Sequence, residues 1–555
     1  CSFGKPFPSH HELTMFSFAS RMSLAVAATS LGSMIAVSRA KKFLDFEPLN
    51  QQDVDKSLAA EIAGNISSEH LESIENALRT VYTSLPKSEN GRLGHQAVRY
   101  VLHRFFVQQH GWYVRGLEPN GDTFSALAAP APLKDWIASY VQGRFEERSG
   151  STGINLRDLA ALAATLEDLI RKEAALELRE VYRVLGFPVE SNVSREQAEQ
   201  ALHTYMMIYL TNRNVSISNR EEAELRFSRF SKRHSGWAEA RAFVAGIKHR
   251  HDSEINDSEG VDFSLAARVV AEVGEQFATF NDVECKDLKA ILMGMSNLSG
   301  KIGRIRLHEF YNKSLYTHWK FTEKAAYLKE LGALDESDPS QPRVILPNYL
   351  SAFPNCLKAT SLYAVCCRNE CEDLLGHLER EIAAPTATPE RIGKLIADLP
   401  SATVAAPRQL PEALLQRLTR MAEVNGGEVH LHGRLFAQWM HHAFPLECPY
   451  PHEAGQINPA TAAEWMAKTG NSAHASEDEM RKVVEDACSA DGSQAVAALE
   501  EPELPWSDAE ELLVAPRARG ATAHTLWVFV VLLALGMLAW LAVGRLVPSP
   551  DDQRK

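Results

Sequence analysis

The sequence predicts an all-α fold: a multi-helix body followed by one transmembrane helix near the C-terminus. Apolar residues recur at the three- and four-residue spacing of one helix face through most of the chain. Alternating patterns typical of strands are absent, apart from a short candidate at residues 343–346. Residues 526–543 form an uncharged apolar run that is long enough to cross the hydrocarbon core of a bilayer as a helix.

Five stretches carry the clearest helical patterns. Their apolar residues lie three or four positions apart, so each stretch can bury one face of a helix. They are residues 98–106, 159–170, 202–209, 265–277 and 374–382. Proline-rich or polar breaks lie at 126–132, 249–260, 383–389 and 401–411.

These breaks predict the domain organisation. We expect one helical domain at residues 45–250 and a second, with an EF-hand-like loop and a cysteine cluster, at residues 261–455. Residues 1–44 are interpreted as a targeting or signal-like segment, and residues 456–520 as an acidic linker or stalk that is too charged to pack. A transmembrane helix at 525–547 and a short tail at 548–555 follow.

The charge of the chain argues against one class of partner. The formal net charge is −13. Residues 474–513 hold twelve acidic and two basic residues, a local balance of −10, so the remainder carries only about −3. A nucleic-acid-binding protein needs a basic face. The sequence therefore predicts no nucleic-acid partner.

The predicted location is a membrane, with a single span and an extracytosolic body. The apolar run at residues 22–37 precedes Ser38, Arg39 and Ala40, a small-x-small site typical of a cleaved secretory signal. This pattern favours the secretory pathway or the cell surface. A serine-rich organellar transit peptide and a simple disordered or mispredicted segment are the alternatives for the start. A tail anchor with a cytosolic body is the alternative for the topology.

One loop has part of the pattern of a calcium-binding EF-hand. Gly303, Ile305 and Glu309 occupy positions 6, 8 and 12 of such a loop. The ligand positions 1, 3 and 5 carry no side-chain oxygen; they are Leu298, Gly300 and Ile302. Since Ca²⁺ needs several oxygen donors, the sequence predicts a degenerate loop that does not bind it.

Two weaker echoes of this loop begin at Gly91 and Gly427, each with an apolar residue two positions later. We expect degenerate EF-hand-like helix–loop–helix pairs. The competing interpretation is that a glycine followed by an apolar residue simply turns one helix into the next.

The cysteines predict a disulfide-braced body. The candidates are Cys285, Cys356, Cys366, Cys367, Cys371 and Cys448. Because a bond between adjacent cysteines distorts the peptide between them, the cluster predicts 356–366 with 367–371, or 356–367 with 366–371, unless Cys285 or Cys448 takes part. Zinc binding and buried thiols are the alternatives.

A segment rich in histidine is the candidate metal site. Its possible ligands are His430, His432, His441, His442, Cys448 and His452. Imidazole and thiolate bind Zn²⁺ well, so a zinc site is possible here. The competing interpretation is structural, because Leu435, Trp439 and Phe444 lie on a core face of the same segment.

Several long segments resemble an uncharacterised family of large, helical, cysteine-containing, membrane-anchored proteins of dinoflagellate algae. They are GRLGHQAVRYVLHRFFVQQHGWYVRGLEP, LAALAATLEDLI, LGALDESDP, YAVCCRNECEDLLGHLE and HGRLFAQWMHHAFPLECPYPH. The resemblance covers residues 91–452 and brings no activity, ligand or site residue. It implies a more acidic loop around Gly303 than this chain has, which argues against calcium here.

No phosphate loop, nucleophile elbow, zinc-protease motif or dinucleotide fingerprint occurs in the sequence. The sequence therefore predicts an interaction or scaffold protein, anchored in a membrane, that binds an unknown protein partner and catalyses no reaction. The alternatives are a metal-dependent enzyme that uses the segment 430–452 and a membrane-tethered calcium sensor.

Overall fold

A computed structural model describes residues 49–62, 67–117, 136–150, 153–211, 217–251, 260–298, 301–317, 320–357, 362–491 and 506–512. The predicted targeting segment, transmembrane helix and tail lie outside these residues. No helix in the described part of the chain is both long and apolar enough to span a membrane.

The described chain is mostly helical, which confirms the all-α prediction. The N-terminal region, residues 49–298, contains α1 Gln51–Ile62, α2 Ser68–Ser84, α3 His95–His110, β1 Trp112–Val114, α4 Trp136–Arg148, α5 Leu156–Leu185, α6 Arg195–Leu210, α7 Arg220–Arg233, α8 Trp237–Arg250 and α9 Phe263–Leu298. The first four predicted helical stretches lie in α3, α5, α6 and α9.

The C-terminal region, residues 301–512, has shorter elements. They are β2 Arg304–Arg306, α10 Leu307–Tyr316, α11 Ala325–Glu330, β3 Leu334–Asp335, β4 Arg343–Ile345, α12 Leu346–Leu350, β5 Tyr363–Val365, α13 Glu370–Ile382, β6 Thr386–Ala387, α14 Pro389–Ala397, α15 Glu412–Val424, β7 Val429–His430, α16 Arg434–Ala443, α17 Ala462–Thr469 and α18 Glu477–Asp491. The predicted strand near residue 343 is β4, which pairs with β2 and β3. The predicted helix at 374–382 lies in α13.

Helix α5 organises the N-terminal region. It begins where the Asn155 side chain accepts a hydrogen bond from the Asp158 N–H, and it ends at Gly186, whose left-handed backbone has φ 71°. Between these caps its leucines and alanines recur on more than one face, so the helix packs against α1, α2, α6 and α9. A helix that is apolar on several sides must be surrounded by others, and α5 therefore forms the centre of this region.

Short extended segments in separate loops pair across the fold and form four paired-loop units, two of them through isolated bridges and two through strands of two or three residues. In each unit two residues form an antiparallel bridge, and each of the eight is at most 5% exposed. The pairs are Leu93 with Ile154, Val193 with Val261, Ile305 with Val344, and Ala387 with Val429. In seven of the eight cases a helix begins two residues later. The same turn from an extended residue into a helix thus recurs along the chain.

The stretch that we interpreted as an acidic stalk contains two packed helices. Trp465, beside Tyr327, and Met480 belong to a buried core cluster with Phe310, in α10. Their helices α17 and α18 place the apolar residues on one face and the carboxylates on the other. Amphipathic spacing lets a strongly acidic helix pack, and a composition average does not register that spacing.

Candidate functional site

Three disulfides join six cysteines of the described chain. They link Cys285 to Cys367, Cys356 to Cys366, and Cys371 to Cys448. The bond between Cys356 and Cys366 belongs to one of the two predicted pairings. The other two bonds use Cys285 and Cys448, so the cysteine cluster is not closed on itself. It connects α9 to the start of α13, and α13 to the chain after α16.

The histidine-rich segment does not form one ligand set in the structure. His432 bonds to Glu379, while His452 contacts the Gly332 carbonyl oxygen through Nε2 at 2.7 Å. His430 lies in β7, and the ring of His442 lies 5.9 Å from that of Trp506. Cys448 is consumed by a disulfide. Among the described residues no group of three or more His, Cys, Asp and Glu side chains is placed to hold a metal ion, and the zinc site stays a prediction.

His441 belongs to a buried polar cluster around Arg304. The Arg304 guanidinium donates to Asp335 Oδ2 at 3.0 Å and to His441 Nε2 at 3.1 Å. Nε2 therefore accepts, and the His441 proton is on Nδ1, which donates to the Cys448 carbonyl at 2.6 Å. Burial and the neighbouring Arg304 charge hold the pKa of His441 well below its usual value. His441 is thus a neutral structural link between β2 and the chain after α16.

A second buried cluster connects the two regions through Arg104 of α3. Its guanidinium pairs with Glu379 and Glu372 of α13, and the Arg104 side chain is fully buried. His432 Nε2 lies 2.8 Å from Glu379 Oε1. Burial pushes the pKa of Glu379 upward, but Arg104 and His432 outweigh it, and the net pKa is lowered. One carboxylate therefore joins α3, α13 and the approach to α16.

The N-terminal region has its own carboxylate centre at Glu167 in α5. Glu167 contacts His70 Nε2 at 2.9 Å and His110 Nε2 at 3.0 Å. Burial opposes the charge of Glu167, but these two bonds prevail and lower its pKa to about 2. The hydrogen bond to Glu167 raises the pKa of His70. The cluster ties α2 and α3 to α5.

The loop around Gly303 adopts the predicted turn. Gly303 has φ 74°, and a Cβ at this position would meet the Pro445 carbonyl oxygen at 2.3 Å. Residues 299–300 lie outside the description. The backbone of the histidine-rich segment therefore packs directly against the loop that the sequence predicts to be a degenerate EF-hand loop.

Sequence reasoning missed the segment Trp506–Leu512, which we call the strap. It lies across the start of α16, where the Arg434 side chain donates to the Ser507 and Ala509 carbonyls at 2.7 and 2.6 Å. Arg434 is only 6% exposed. A charged residue inside an apolar helical stretch, as in GRLF, was the available signal, and Arg104 in VLHRFF is a second example.

Comparisons of this chain with protein-family models, with curated proteins and with solved structures gave no match. The resemblance to the dinoflagellate family therefore stays a prediction, and the function is argued from the geometry alone.

Proposed function

We propose that this chain is a non-catalytic interaction scaffold. Its body consists of EF-hand-like paired-loop units that keep their shape without calcium and are braced by disulfides, and residues 525–547 anchor it in a membrane with the body outside the cytosol. The recurrence of the paired-loop units is the observation that carries this proposal.

The geometry of the first unit supports an EF-hand-like origin. Counted from the bridge residue Leu93 at position 8, the loop spans residues 86–97 and places Gly91, with φ 71°, at position 6. Position 1 is Pro86 and position 12 is Ala97, where a calcium-binding loop has carboxylates. The turn and the bridge are kept, whereas the ligands for the cation are lost.

In two of the units an arginine immediately precedes a bridge residue and bonds to a neighbouring segment of the chain. Arg92 immediately precedes a bridge residue and donates to the Gly153 carbonyl at 3.3 Å. Arg304 has the same position in the third unit and bonds to Asp335 at 3.0 Å. A fixed guanidinium supplies a positive charge and several donors without any exchangeable ion. Such units suit a permanent scaffold better than a sensor.

The disulfides support the proposed compartment. Two of them close long stretches, with sequence separations of 82 and 77 residues. Disulfides of this kind persist in oxidising compartments such as the secretory pathway. Alkylation of the unreduced protein, followed by mass measurement, tests this: the six cysteines of the three bonds should be unreactive. Six reactive thiols would instead favour the tail-anchored, cytosolic arrangement.

The scaffold proposal is tested by thermal unfolding of the purified full chain with Ca²⁺ or Zn²⁺, together with its metal content. We expect no increase in Tm with millimolar Ca²⁺ and no stoichiometric zinc. A rise in Tm with saturable Ca²⁺ binding would make the protein a calcium sensor. Stoichiometric zinc that is lost on His452→Ala or His430→Ala would support the metal-dependent enzyme.

The anchor is tested separately. The full chain should stay with membranes after alkaline extraction, because residues 526–543 can lie within the hydrocarbon core. A variant with Leu533→Arg and Leu535→Arg should be released, since two central arginines make insertion unfavourable. Release of the unaltered chain from membranes at alkaline pH would contradict the proposed membrane anchor.

A further inference from the structure

The strap lies in an extended conformation along one arginine. The carbonyls of Ser507 and Ala509 accept from the Arg434 side chain, and the carbonyl of Glu511 accepts from the Arg434 backbone N–H at 3.0 Å. These are alternate residues, and alternate carbonyls of an extended peptide face the same side. An isolated bridge between Gly433 and Leu512 continues the pairing. The main chain of the strap is therefore recognised as a strand would be.

The side chains of the strap add selectivity. The Glu510 carboxylate accepts from the Leu435 N–H at 3.2 Å, in the first turn of α16. The Glu511 carboxylate accepts from the Ala454 N–H at 2.8 Å. In both contacts a carboxylate of the strap accepts from a backbone N–H of the body. The contact of Glu510 is further favoured by the positive end of the dipole of α16.

Trp506 occupies the other end of the site. The Arg417 guanidinium lies 4.4 Å from the centre of its indole ring, and the ring packs against the core cluster that contains Trp439. The indole N–H donates to Asp508 Oδ1 at 2.7 Å, within the strap itself. The aromatic ring and the two carboxylates thus mark both ends of one bound peptide.

The site itself belongs to the body. Arg434 is held in place by Gln438, one turn later in α16, whose Oε1 accepts at 2.8 Å. Gln438 is fully buried. The strap, in contrast, follows residues 492–505 in the sequence. Its central residues 508–511 are exposed. Recognition of an added strand through its main chain, with selectivity from alternate side chains, is a general mode of peptide binding.

We infer that this groove, formed by Arg417, Arg434 and the start of α16, is a binding site for an extended acidic peptide that has a tryptophan four residues before its first glutamate. The strap is the intramolecular ligand of this site, and a partner segment with the same pattern competes with it. The inference rests on the proposed scaffold function and deepens it by naming the class of partner. A tethered ligand has an effective concentration in the millimolar range, so it masks the site until it is weakened or outcompeted.

The test uses the full chain and a fluorescently labelled peptide, LPWSDAEELL, which copies residues 504–513. Fluorescence anisotropy measures its binding to the unaltered chain and to a variant with a weakened strap, Trp506→Ala with Glu511→Gln. The variant should bind the peptide at least about tenfold more tightly than the unaltered chain, because its own strap no longer competes. A scrambled peptide is the matched control.

A second arm keeps the protein constant and changes the peptide. Glutamates 510 and 511 are replaced by lysine in the peptide, and this version should lose binding to the variant with the weakened strap. The inference is overturned if that variant does not bind the original peptide while its Tm is unchanged, or if the lysine peptide binds equally well. Neither result alters the tests with Ca²⁺, Zn²⁺ and alkylation, so the scaffold proposal fails or stands independently.

Discussion

The N-terminal and C-terminal regions are built from the same paired-loop units but are held together differently. The N-terminal region has helices of 30 and 36 residues, α5 and α9, and contributes only Cys285 to a disulfide. In the C-terminal region the longest described helix has 15 residues, and every described disulfide has at least one cysteine there. Long helices supply continuous apolar contacts, whereas short helices with long connections gain more from cross-links.

Both regions contain buried charges that are held by partners from neighbouring elements. In the N-terminal region Glu167 is held by two histidines that belong to neighbouring helices. In the C-terminal region Arg304 connects β2, β3 and α16, and the long helix α9 also packs against β2. In both regions a buried charge thus links elements that are far apart in the sequence.

Reduction of the three disulfides is expected to have the largest effect, because each contributes about 2–4 kcal/mol by restricting the unfolded chain. Hydrogen exchange followed by mass spectrometry should show a loss of protection across α13, α15 and α16, while α5 and α6 stay protected. The variant Cys285→Ser with Cys367→Ser, which removes only the link between the regions, is the control. Equal loss of protection in both regions would contradict the comparison.

Arg104→Met is expected to destabilise the protein by about 4 kcal/mol, because it leaves the buried carboxylate of Glu379 without its main partner. Urea unfolding measures the change. The double variant Arg104→Met with Glu379→Met should regain at least half of the loss, since the fully buried carboxylate is then absent and the other carboxylate that loses Arg104, Glu372, is partly exposed. If the stability losses of the single variants Arg104→Met and Glu379→Met simply add in the double variant, the ion pair is not their cause.

Glu323→Gln should stabilise the C-terminal region in a pH-dependent way. Burial raises the pKa of Glu323 to about 7, although Tyr349 donates to its carboxylate at 3.2 Å. The folded state thus holds this proton more tightly than the unfolded chain, and stability is lost as the pH rises from about 4.5 to about 7. At pH 8 the variant should be more stable by about 2 kcal/mol, and at pH 4 the difference should vanish.

Asp335→Asn should change the stability of the protein with pH in the opposite direction. Burial opposes ionisation of Asp335, but Arg304 and the hydrogen bonds from Ser337 prevail and lower its pKa. The ionised Asp335 carboxylate therefore stabilises the folded protein at neutral pH, and this stabilisation is lost as the pH falls through the pKa of the folded state. Chemical unfolding between pH 3 and pH 8 gives the difference in free energy of unfolding between each variant and the unaltered chain. This difference should change with pH in opposite directions for Glu323→Gln and Asp335→Asn, and a change in the same direction would refute both assignments.

Ser194→Ala should have the smallest effect, about 1 kcal/mol, because it removes one half of the capping box of α6. Its matched control is Thr461→Ala, which removes the equivalent cap of α17 in the C-terminal region. Calorimetry of both variants should give similar losses, since capping is local. A much larger effect in one region would mean that its cap also holds tertiary structure.

Sequence periodicity found the helices because each buries one repeated face, and it found the turn at Gly303 because only glycine adopts that backbone readily. It could not find the bridges: Leu93 and Ile154 are 61 residues apart and are joined by two hydrogen bonds between single residues. A contact between one residue and one other leaves no periodic signal.

The candidate site was harder to predict for a similar reason. His432, His441 and His452 are close in sequence, but each bonds to a different element of the fold. Their density in the sequence suggested one ligand set, but spacing along the chain says little about the directions in which the side chains point. The pairing of Cys371 with Cys448 likewise depends on where α13 and α16 lie, which no local pattern encodes.

The order of the disulfides has a consequence for cleavage of the chain. The Cys285–Cys367 and Cys371–Cys448 bonds close two consecutive rings that together enclose almost all of residues 285–448. A protease that hydrolyses one peptide bond inside either ring releases no fragment until a reductant is added. Within residues 285–448, only the four peptide bonds between Cys367 and Cys371 lie outside both rings. A molecule nicked in the exposed loops of either ring thus remains one covalent particle while its disulfides are intact.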